Sequence, residues 1–66
     1  MSYDAFKIKV NALISRVGGI TADFSHDIET KRYFAKCSDG TTIVGNPKCS
    51  RVTIRWGNGH TAMADI

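Results

Sequence analysis

The chain changes its periodicity once, at Gly18-Gly19. Before that point, in residues 4–17 (DAFKIKVNALISRV), Phe6, Val10, Leu13, Ile14 and Val17 fall at offsets 0, 4, 7, 8 and 11, which line one face of a helix. The stretch FKIKV also alternates strictly, as a strand does, and only the continuation of the apolar face through Val17 decides for the helix. Ser2 or Asp4 is available as N-cap, Asp4 and Arg16 suit the helix dipole, and the diglycine stops the helix. In this phase Ile8 points away from the core. It is either a harmless exposed apolar residue or a contact for a partner.

Beyond the diglycine come short β-rich runs separated by turn residues. Residues 20–25, 32–38, 41–44, 51–56 and 60–64 are the expected strands, with the polar HDIET segment as a connecting loop or turn. Asp39-Gly40 marks a hairpin, Gly45-Asn46-Pro47 a break, and Gly57-Asn58-Gly59 the last turn. A three-residue GNG loop with one left-handed glycine pairs Arg51 with Asp65, Val52 with Ala64, Thr53 with Met63, Ile54 with Ala62, Arg55 with Thr61 and Trp56 with His60. A one-residue slip would set Val52 against Asp65 and mix acid into the apolar face. Val52, Ile54 and Trp56 therefore belong to the core face, and Arg51, Thr53 and Arg55 to the outer face. Trp56 reads as a structural residue rather than a base-stacking platform.

The fold class is α+β, one N-terminal helix packed on a four- to five-stranded antiparallel sheet, either a meander or a partly closed small barrel. All 66 residues form one small domain, of a size that buries only about 60% of the surface its unfolded chain exposes. A deep pocket would consume much of that core, which favours a surface-acting protein over an enzyme. Nine Lys and Arg against six Asp and Glu give a formal charge of +3, a mild bias towards anionic partners. No apolar run approaches the roughly 18 residues of a membrane span, and the first residues lack a basic-then-apolar leader, so the expected location is the cytoplasm, with Cys37 and Cys49 as reduced thiols.

Candidate chemistry changes little. His26, Cys37, Cys49 and His60 have the donor types for zinc, but each neighbouring pair is more than about ten residues apart, unlike the close pairs of structural sites. Asp23, Asp27 and Glu29 around His26 read as solubilising turn residues, and no phosphate loop is present. No cofactor, metal or catalytic residue is expected. Two functions stay open. One is binding of DNA or RNA through a basic outer sheet face made of Arg51, Arg55, Lys48, Lys36 and Arg32, with Tyr33 or Phe34 as a stacking group. The other is a protein-binding regulator or inhibitor of a larger host or phage-type enzyme, acting through Ile8, the helix surface or a sheet edge. Against the first stands the plain reading that these charges only solvate the sheet and discourage aggregation. Neither DNA over RNA nor an oligomeric state follows from the residues.

Overall fold

The computed structural model describes residues 1–65. One helix, α1 (Tyr3–Ser15), precedes five strands: β1 (Ala22–Asp27), β2 (Arg32–Cys37), β3 (Thr42–Gly45), β4 (Arg51–Arg55) and β5 (Thr61–Asp65). All neighbouring strands are antiparallel and the sheet order is β1-β2-β3-β4-β5. The architecture is thus an α+β meander with β1 and β5 as open edges, and of the two expected forms the barrel is not the one adopted.

Ser2 is the N-cap, its hydroxyl accepting from the Ala5 amide at 3.1 Å, while Asp4 sits in the first turn. The helix stops two residues short of the expected end. The amides of Arg16 and Val17 reach back three residues to Leu13 and Ile14, the Gly18 amide also reaches the Ile14 carbonyl at 3.4 Å, and Gly18 and Gly19 reverse the chain at φ of 74° and 71°. A reversal through two left-handed residues is open to glycine at little steric cost, and it needs the tightened turn before it. Val17 is lifted out of the core as a result, 72% exposed rather than buried. Phe6 and Val10 carry the contact with the sheet, both fully buried together with Tyr33, Ala35, Ile43 and Val52.

Gly45 explains how one helix can lie this close. A Cβ placed there would stand 2.8 Å from Phe6 Cδ1 and 3.4 Å from Val52 Cγ1, so the ring of Phe6 rests on bare backbone. Tyr33 packs beside it, 5.5 Å between ring centroids, and donates its hydroxyl to the Met1 carbonyl at 3.1 Å. This corrects the expectation that Tyr33 stands on the outer face. A strand alternates its side chains, and the burial of Ala35 puts Tyr33 on the helix side with it.

Two hairpins close in the same way. Between β2 and β3, Cys37 N–H donates to Thr41 O and Gly40 N–H to Cys37 O; between β4 and β5, Trp56 N–H donates to His60 O and Gly59 N–H to Trp56 O. Gly40 and Gly59 take the left-handed position at φ of 93° and 90°. In each loop the middle side chain accepts from the residue after the glycine, Asp39 from Thr41 at 3.0 Å and Asn58 from His60 at 3.1 Å. The expected GNG loop and all five of its β4–β5 pairings within the strands are present. The HDIET segment differs from expectation. His26 and Asp27 extend β1 opposite Tyr33 and Arg32, and Asp27 Oδ1 caps the turn by accepting from Glu29 and Thr30, with Lys31 left-handed at φ 59°.

Two outcomes follow. Gly45→Ala should destabilise the protein by about 1–3 kcal/mol, the cost of an overpacked core contact, read from chemical denaturation. Asp39 is held below its ordinary value of 3.8, chiefly by the Thr41 amide and hydroxyl, so the stability it contributes is present above that value and lost as pH falls through the lower folded one. Asp39→Asn copies the Asn58 turn. It should fold, and its denaturation midpoint should fall less than that of the parent between about pH 4 and about pH 2.

Candidate nucleic-acid interface

With Tyr33, Ala35, Ile43 and Val52 committed to the helix, alternation sends the remaining side chains of the central strands to the opposite face. The registers arrange them in rows across the sheet. Ser25, Phe34, Val44, Thr53 and Met63 form the middle row. On one side of it run Asp23, Lys36, Thr42, Arg55 and Thr61; on the other lie Asp27 with Arg32, and Arg51 with Asp65. Phe34 and Val44 are half-buried and Met63 is 65% exposed, so a strip with aromatic and aliphatic character runs between two lines of charge.

The charges are segregated. Every acid of this face is on an edge strand, Asp23 and Asp27 on β1 and Asp65 on β5, whereas β2 and β4 supply four cations and no acid. Among the described residues only Arg51 of these four is ion-paired, Nε to Asp65 Oδ1 at 3.2 Å, in an exposed pair worth at most about 1 kcal/mol. Asp27 is held below the ordinary carboxylate value by hydrogen bonds from Thr30 and Glu29 and by the nearby Arg32 guanidinium, and so remains an anion at neutral pH.

Two shallow clefts indent the face. One, of about 380 Å³, is bounded by Ser25, Asp27, Phe34 and Lys36. The other, of about 360 Å³, lies at the corner where β3 turns into β4, between Arg32 and Arg51, with Val44 and Met63 as its apolar part and Asn46 and Cys49 at its end. Lys31 and Lys48 border the same corner beside Arg32. Counting those two lysines, the face holds six cations against three acids. The strands themselves supply four of these cations, Arg32, Lys36, Arg51 and Arg55, against the three acids, and the turn that carries Lys31 also carries Glu29.

Arg32, Lys36, Arg51 and Arg55 therefore share one face, with Lys48 at its corner, as the sequence suggests. Tyr33 does not join them, and Phe34 occupies the position that a stacking group requires. The GNG register already put Thr53 and its partner Met63 on the outer face, but neither was read as a site residue, and Val44 joins them only through the β2–β3–β4 register, which no local motif encodes. Ile8 is exposed on the back of the helix, 70% accessible. Trp56 is on the helix side but 41% exposed, not enclosed, at the mouth of a separate apolar cleft of about 180 Å³ with Leu13, Val17, Ile20 and Ile54. Among the described residues no three His, Cys, Asp or Glu side chains gather as metal ligands, and no helix is long and apolar enough to cross a membrane.

Compared with protein-family models, with curated protein sequences and with solved structures, the chain matches none of them.

The two cysteines are free and lie on opposite faces, Cys37 in the helix-side cleft and Cys49 at the basic corner. Burial and the Asp39 charge push the Cys37 thiol up, which lowers its thiolate fraction at neutral pH. Exposed Cys49 should be labelled first by a thiol reagent and Cys37 several-fold more slowly, as mass mapping of a time course will read.

Proposed function

We propose that the protein is a non-enzymatic binding module that takes up nucleic acid on its outer sheet face. Arg32, Lys36, Arg51 and Arg55 neutralise phosphates, and Lys48 extends the field at the corner. The observation that carries this reading is the segregation of charge. Cations that merely protect a sheet from aggregation belong on its edges. Here the edge strands hold the acids of the face and β2 and β4 hold its cations. The charged side chains that a phosphate chain laid over β2–β4 would meet are all positive.

Affinity for a short oligonucleotide should fall linearly with salt on a log–log plot, with a slope of about −2.8 to −3.6 for four neutralised phosphates. Arg51→Ala combined with Arg55→Ala should make that slope shallower by about 1.4 to 1.8 and weaken binding at least tenfold at low salt. No binding at low salt, or binding indifferent to the pair, contradicts the proposal.

The apolar cleft beside Trp56 favours a second reading, in which the module docks a protein partner by an apolar anchor. Trp56 separates the two. Nucleic acid on the outer face leaves its emission unchanged, while a partner in the cleft shifts it.

A further inference from the structure

Resting on that reading, we infer that the outer face selects single-stranded nucleic acid, with one base stacked on Phe34 and a neighbouring nucleotide seated in the corner cleft over Val44 and Met63. The corner phosphate lies between Arg32 and Arg51, and Lys36 and Arg55 take the chain on the other side of the strip.

Three features of the face point to this. The middle row puts apolar surface where bases would lie and cations where phosphates would lie, an order that fits an unpaired strand laid flat with its bases splayed. Phe34 is half-buried, held by its neighbours with part of its surface still accessible beside Lys36 and the first cleft. The sheet is also too broad for a groove. Five strands span four spacings of about 4.8 Å, roughly 19 Å, against a major groove about 12 Å wide. A duplex therefore touches the face only through its phosphate ridge and leaves Phe34, Val44 and Met63 unused. Burying that apolar strip requires bases free of their partners. The shared chemistry is a phosphodiester chain with exposed base faces, and the two sugars are separated by experiment.

The test is fluorescence anisotropy with labelled ten-nucleotide single strands of DNA and of RNA, and with the corresponding duplexes. Single strands should bind at least tenfold more tightly than the duplexes. Phe34→Leu, which keeps an apolar side chain on an outward position, should weaken single-strand binding by about 5- to 150-fold, leave duplex binding unchanged and leave the salt slope unaltered, since no charge is removed. Its thermal melting curve, compared with that of the parent, confirms folding. If the variant is unstable, Val44→Thr and Met63→Thr read the same strip and should weaken single strands alone. Equal affinity for duplex and single strand, with Phe34→Leu silent, overturns the inference and leaves the basic-face reading standing. Absence of any binding at low salt overturns both.

Discussion

One thirteen-residue helix has to cover the apolar side of a sheet roughly 19 Å wide, although a helix with its side chains is only about 10–12 Å across. The contact of Phe6 with Gly45 is how it manages. With no Cβ at Gly45 the ring sinks onto the backbone of β3, reaching Val52 on β4 from a helix that otherwise packs over β1 and β2. That single seat lets Tyr33, Ala35 and Ile43 close around one ring. It also exhausts the chain's means of burial. Among the described residues no second helix covers the other face, and the far end of the helix side stays partly open beside Trp56.

The two faces consequently do different work. On the helix side apolar residues are used for stability. On the outer side the middle row keeps Phe34, Val44 and Met63 near solvent between lines of cations, and the acids are confined to the rims. Full burial of these three residues under a helix would stabilise a small protein by a few kcal/mol, and their partial exposure between cations is the observation from which the proposed binding surface is argued. The twin hairpin turns hold this arrangement in register. Gly40 and Gly59 fix two loops of equal length at one end of the sheet, close enough that a Cβ added at Gly40 would stand 3.7 Å from Gly57 Cα. Rigid, equal turns keep Lys36, Thr42, Arg55 and Thr61 in one line.

Much of this was legible in the sequence because the signals are local. The GNG loop set the β4–β5 pairing, and the mixed alternation of Arg51 to Arg55 divided that strand correctly between two faces. The helix existed where its apolar spacing put it, but Val17 was lost because the diglycine needs a tightened turn, a cost that apolar periodicity does not register. Tyr33 and Phe34 form the more instructive pair. RYFAK offers two adjacent aromatics, and which of them faces the helix depends on Tyr33 packing against Phe6 in the core. That is a tertiary contact, invisible in a window of seven residues. The same holds for Val44, which joins the row only through the β2–β3 and β3–β4 pairings.

The central claim is that the outer face is the working surface. A backbone-amide chemical-shift map during titration with a single-stranded oligonucleotide at low salt tests it most directly. The account predicts shifts in β2, β3 and β4 centred on Phe34, Val44 and Thr53, extending to Lys48 and fading as salt is raised. Shifts centred on the helix and the Trp56 cleft, or no shifts at all, would contradict it.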